Sequence, residues 1–226
     1  MLTGISAPTA WPFFQHHGRA TVALGTSVGG PGASLTLAGI NLAPGDLLLV
    51  GTGSDLAGTA TDVSVDINGV GLDQDGAEVD AGVFVLCSMN SRLIPAAIVG
   101  GTITASWPVA DPDNMVMLAR KVSNLAGLLE EEVQAGFGFT TTPDSGGTAI
   151  YAAPGFHWGL VCCLGRALDT LGTWQFSMTA GQRASTVAIK VDLKEGYRIP
   201  AAPAAARAHL HAQTSRRSVA LAAYYS

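Results

Sequence analysis

Residues 102–123 read TITASWPVADPDNMVMLARKVS, and residues 207–226 read RAHLHAQTSRRSVALAAYYS. Each joins an alternating strand, a polar turn and a second strand of small and apolar residues that ends in Ser. A pattern that closes the sequence in this way implies an all-β fold in which the last strand is built into a sheet.

Working outward, Gly (28 residues) and Pro (11 residues) punctuate the chain at short intervals. The runs between them have period-2 alternation or β-branched enrichment. Strands are expected near 20–24, 33–39, 46–53, 61–67, 79–89, 101–107 and 114–123. In the second half they are expected near 148–152, 156–164, 173–179, 185–193, 206–213 and 218–225. Asn68-Gly69 lies between two apolar runs, the strongest short hairpin signal. Ala43-Pro44-Gly45-Asp46 and Ala153-Pro154-Gly155 are turns ahead of apolar strands. Residues 124–135, NLAGLLEEEVQA, fit a helix with Leu125, Leu128, Leu129 and Val133 on one face, or a strand or loop; the acidic residues near the end oppose a helix dipole. Residues 196–206, GYRIPAAPAAA, read as an exposed connector or polyproline-like arm.

The halves rhyme more widely. NLAPGDLLLVGTG (41–53) and YAAPGFHWGLVCCLG (151–165) are both Pro-Gly turns followed by a long apolar strand. Related elements in two packed sheets would explain this, as would common hairpin grammar; the second explanation is preferred. About a dozen strands at short spacing, without βα alternation, predict an antiparallel β-sandwich, jelly-roll-like, over 20–226. The polar stretch 139–147 marks an alternative division into two parts. Residues 1–19 are set apart as an N-terminal docking arm, whose Trp11, Phe13 and Phe14 are the expected partner-binding residues.

Only 13% of the residues are charged and 48% are hydrophobic, against about 25% charged in ordinary soluble domains. Charge is depleted at interface cores, so the composition points to a surface partly covered by other subunits and to a homo-oligomer. The net charge is −5, and the densest basic cluster is Arg216-Arg217. No nucleic-acid partner is expected from such a chain. No window of about 18 apolar residues exists, so no membrane insertion by a helix is expected. The N-terminal segment lacks a basic region followed by an apolar core, so no secretory signal is expected. Cys87, Cys162 and Cys163 lack zinc-like spacing and read as buried free thiols.

No catalytic residue, cofactor or metal is assigned from the sequence. His209 and His211 stand two apart on a strand and share a face, which makes them weak metal candidates. Asp73 and Asp75 precede Gly76 as calcium ligands do, but the remaining ligands of such a loop are missing. Trp107, Trp158 and Trp174 are candidates for a sugar-stacking platform. His157 reads as a satisfied core or edge histidine. No Gly-x-Ser-x-Gly elbow and no Gly-rich phosphate loop followed by Lys is present.

The order GDLLLV (45–50), VSVDINGVGL (63–72), GTITASW (101–107) and NMVMLARKVS (114–123) resembles a class of β-sandwich proteins in phage and prophage structural modules. Asn68-Gly69-Val70 and Gly101–Trp107 carry the match. Asp66-Ile67 stand where that class has a Trp before its Asn-Gly turn. The resemblance covers roughly residues 34–125. It implies a virion-associated or cell-surface structural module and no catalytic residues. The expectation is therefore a non-enzymatic subunit of a phage-like particle: a head decoration, head spike or tail-associated protein. It would be assembled in the bacterial cytoplasm among other virion subunits. The alternative is a carbohydrate-binding sandwich module directed at a cell-surface glycan.

Overall fold

The computed structural model describes residues 19–55, 63–79, 85–107, 113–125, 129–150, 155–164, 173–186, 191–201, 203–211 and 216–226. The expectation of an all-β antiparallel sandwich holds. In chain order the strands are β1 (Thr21–Gly29), β2 (Ser34–Leu42), β3 (Leu47–Ser54), β4 (Ser64–Ile67), β5 (Val70–Gly71), β6 (Asp73–Val79), β7 (Leu86–Leu93), β8 (Ile98–Ser106) and β9 (Met115–Val122). They continue with β10 (Leu129–Thr140), β11 (Asp144–Gly147), β12 (Phe156–Leu164), β13 (Thr173–Trp174), β14 (Thr179–Ser185), β15 (Val191–Arg198), β16 (Arg207–His211) and β17 (Arg216–Tyr225).

Four sheets stack in layers. The first half contributes an inner sheet, β1-β9-β3-β7-β6, and an outer sheet, β2-β8-β4-β5. The second half contributes an inner sheet, β10-β17-β12-β15-β14, and an outer sheet, β11-β16-β13. Replacing β1, β9, β3, β7 and β6 by β10, β17, β12, β15 and β14 turns one inner order into the other. The same substitution carries β2-β8-β4 into β11-β16-β13. The chain is thus one sandwich topology used twice, and the rhyme between the halves reflects related elements rather than shared hairpin grammar. The layering also differs from a single jelly roll, in which two sheets enclose one core. Residues 139–147 are not the division: they lie inside the second copy, at the end of β10 and in β11.

Ladder register aligns the copies residue by residue. Leu47 pairs with Val122 and Phe156 pairs with Tyr225, so Leu47 corresponds to Phe156 and Leu118-Ala119 to Leu221-Ala222. The side-chain alternation of a strand then sorts each apolar run into two cores. Leu47 and Leu49 face the core between the inner sheets, as do Phe156, Trp158, Leu160 and Cys162. Leu48 and Val50 face the first outer sheet, while Val161 and Cys163 face the second. This is why β3 and β12 are apolar without alternation: both faces of each are covered.

The inner sheets meet with reciprocal edges, β1 near β14 and β6 near β10. That is the contact pattern of a two-fold relation between copies. Near its axis, equivalent positions touch. Leu160 fills the space left by Gly51, where a Cβ would lie 2.6 Å from its Cδ1, and Cys162 fills the space left by Gly53. Two leucines would collide there, so the copies differ in volume at these positions.

Polar groups brace the same interface. Arg120 on β9 is held by Glu195 on β15 through Nε–Oε1 at 2.5 Å and Nη2–Oε2 at 2.9 Å, with both side chains buried. Trp158 Nε1 and the Gln182 backbone N–H also donate to Glu195, and Arg120 donates to Thr21 and lies over the Tyr197 ring. With its carboxylate oxygens so fully engaged, the pair meets the condition under which a buried ion pair is tolerated. At the far edge Tyr225 donates to Asp75 at 2.5 Å, and Ser91 donates to its other oxygen.

The last strand is indeed built in: β17 lies between β10 and β12. Several local expectations fail. Leu129–Thr140 is a strand paired along β17, which settles the second part of 124–135 against a helix. The segment 196–206 is no free arm: it begins inside β15, and Ala206 is fully buried. Residues 148–150 form no strand; there Thr148 Oγ1 accepts from the Ala206 N–H.

Candidate functional site

The tryptophans do not form a platform. Trp107 is 2% exposed in the first outer core, and Trp158 is fully buried between the inner sheets. Trp174 packs half-buried under the second outer sheet. Their large apolar surfaces serve three different layers. The calcium reading of Asp73 and Asp75 fails for a similar reason, because both Asp75 oxygens accept hydrogen bonds from Tyr225 and Ser91. Burial raises the Asp75 carboxyl to about 6, against the lowering effect of those bonds. Trp11, Phe13 and Phe14 lie outside the described residues. Among the described residues no group of three His, Cys, Asp or Glu side chains is placed to hold a metal.

His209 does sit in a cluster, whereas the side chain of His211 lies outside the described residues. The Nδ1 of His209 lies 3.4 Å from Asp144, its ring is 5.5 Å from that of Phe176, and its strand neighbour Arg207 grips the same Asp144. The backbone of His211 pairs with Thr173 at the edge of the sheet. The Arg207 guanidinium lies 4.3 Å over the Phe176 ring. Burial pushes the Asp144 carboxyl up, but hydrogen bonds from Arg207 and from the Gly146 N–H outweigh it and hold it below the usual carboxylate range.

Comparing the copies shows what is added here. In the first, Ile67 pairs with Ile103, and Asn68 N–H donates to Thr102. In the second, Trp174 pairs with Leu210, and Gln175 N–H donates to His209. His209 therefore corresponds to Thr102, and Asp144, which pairs with it, to Ala38. By the same register Arg207 corresponds to Gly100, and His211 to Thr104 rather than to the Ser106-Trp107 region. A charged cluster replaces three small or uncharged side chains.

The turn beside the cluster differs as well. The first copy turns at Asn68 (φ 52°) and Gly69 (φ 77°), residues that enter the left-handed region cheaply. The second copy turns at Phe176 (φ 54°) and Ser177 (φ 59°), closed by Met178 N–H donating to Gln175. Left-handed non-glycine residues outside Asn and Asp cost of order 1–3 kcal/mol each and gather at binding sites. The strand expected over 173–179 is broken by this turn. Phe176 nevertheless remains 49% exposed. A pocket opens on each side of it. One, of about 590 Å³, is lined by Thr142, Gln175, Phe176 and His209. The other, of about 370 Å³, is lined by Arg198 and Arg207 among small residues.

Beneath this outer layer His157 is fully buried against the edge of the Tyr224 ring. Neither ring nitrogen has a hydrogen-bond partner among the described residues, so it is a core histidine but not a satisfied one. Burial, and then the charge of Arg198, lower it to about 4.

Comparison with protein families, with curated proteins and with solved structures finds no match for this chain.

Proposed function

We propose that this chain is a non-enzymatic structural subunit of a phage-like particle, a head decoration, head spike or tail-associated protein. The cross-braced double sandwich carries this reading. Arg120–Glu195 and Asp75–Tyr225 tie one copy to the other across a buried, apolar interface, which makes a block of fixed shape. Such a block suits a part whose work is to hold a position on a particle. Its first outer sheet presents apolar Val70 and Val99, the latter 88% exposed, to neighbouring subunits. The sparse charge of the chain and the strand order of residues 34–125 support the same reading.

The test is deletion of residues 1–19 in a particle-forming system. Incorporation should be lost while the circular dichroism of the sandwich is unchanged. Incorporation at the wild-type level would overturn the docking-arm role. Light scattering on the purified full chain should give a defined homo-oligomer; a monomer at all concentrations would count against the assembly role.

A further inference from the structure

We propose that the pocket on the Arg198 side of Phe176 binds a small organic monocarboxylate of about one ring in size. The argument begins with charge. Two charged residues line this pocket, Arg198 and Arg207, and Asp144 is the ion-pair partner of Arg207. Asp144 takes both forks of Arg207 through its two oxygens, so that pair is internally neutral. Among the described residues Arg198 has no acidic partner, which leaves it as one surplus positive charge. It uses one N–H on the Phe176 carbonyl, at 3.4 Å. A guanidinium carries five donors in a planar fork that fits a carboxylate, so donors remain for a ligand. One surplus positive charge matches a monoanion. A phosphate dianion would face Asp144 with its second charge unbalanced.

The rest of the wall is apolar and small: Gly147, Ala204, Ala205 and the edge of Phe176, with Ser177 at the turn. This surface suits the C–H face of a ring. The volume, about 370 Å³, lies near the lower end of small-molecule sites. Phe176 and Ser177 hold left-handed backbone where the first copy uses Asn-Gly. Arg207 and Asp144 have uncharged counterparts in that copy, whereas Arg198 stands at the position of Arg92, whose guanidinium likewise donates to a backbone carbonyl, that of Gly71. Two departures from a working scaffold thus converge on one pocket, and a strained residue maintained at such a place is a mark of a ligand site. The proposal does not depend on a particle, because binding is measured on the purified full chain.

The experiment is calorimetric titration with glucuronate and benzoate as ring carboxylates, against glucose and inorganic phosphate. At least one carboxylate should bind saturably in the millimolar range, and should bind more tightly than glucose and phosphate. Arg198→Gln should weaken it at least tenfold, and Arg198→Lys by less, because charge survives without the fork. Phe176→Asn with Ser177→Gly, which restores the turn chemistry of the first copy, should lower affinity while the thermal midpoint stays equal or rises. The proposal is overturned if neither carboxylate binds, if glucose or phosphate binds as tightly, or if Arg198→Gln keeps wild-type affinity.

Discussion

Exchanging volume across the two-fold contact offers the sharpest test of how the copies pack. Gly51 on β3 and Leu160 on β12 hold the same ladder position in their copies and touch each other. A methyl at Gly51 would come 2.6 Å from Leu160 Cδ1 and 3.3 Å from Leu118 Cδ1. Gly51→Ala is therefore overpacking and should cost about 1–3 kcal/mol, softened by the smaller entropy of the unfolded chain. Leu160→Ala empties a fully buried site and should cost about 2–5 kcal/mol. In the double variant the new methyl occupies space that Leu160 vacated. Its cost should fall below the sum of the single costs by about 1–2 kcal/mol, within the range of touching residues. Urea unfolding of the four proteins gives the cycle, with unchanged m-values as the check on two-state behaviour. Additivity within about 0.5 kcal/mol would mean that these positions do not meet, and would refute the face-to-face packing of the inner sheets.

Arg120→Met leaves the fully buried Glu195 carboxylate without its cation and should cost about 3–5 kcal/mol by denaturant unfolding; a loss under about 1 kcal/mol would show that water reaches the pair. His157 and Asp75 should oppose each other in acid. Folding lowers the histidine from 6.5 to about 4, so its contribution is lost as pH falls through that interval; folding raises the aspartate from 3.8 to about 6, so its contribution is lost as pH rises through that one. Thermal midpoints between pH 4 and 6.5 should be nearly flat for the wild type, should fall with acid in Asp75→Asn, and should fall with rising pH in His157→Leu; parallel curves for all three would refute the assignment. Cys87, Cys162 and Cys163 are buried, and burial pushes the Cys162 thiol well up, so none should react with a thiol reagent until denaturant is added.

Much of the fold could be read from local chemistry. Asn68-Gly69 turns where two-residue hairpin grammar places it, and the runs at 47–54 and 156–164 are the strands that both inner sheets are built on. What the sequence left open was which layers cover each face, because a run buried on both sides looks the same wherever it lies. The Ala-Pro-Gly turns and the two Ser-ending strands belong to the doubling, but in sequence they read as common hairpin grammar. The doubling became decisive only when the ladder register fixed the one-residue offset that Asp46 introduces. The candidate site was less legible. Asp144 and Arg207 are 63 positions apart, and nothing local joins them. Phe176 looked like strand because an aromatic residue among Thr, Trp and Met has strand propensity; its turn is imposed by the hairpin that the scaffold repeats.

The interior position of β9 and β17, each next to an edge strand, has a kinetic consequence. Each inner sheet is laid down with an edge strand first, and the strand that joins this edge to the rest arrives last. Thr21 waits for Lys121, 100 positions later. Pairings of such span make closure slow. Once the first sheet has closed, its face bearing Leu47, Leu49 and Leu118 has no cover until β12 and β17 are made. During synthesis the early copy is therefore a sandwich with one sticky side, able to pair wrongly with the same half of a neighbouring chain.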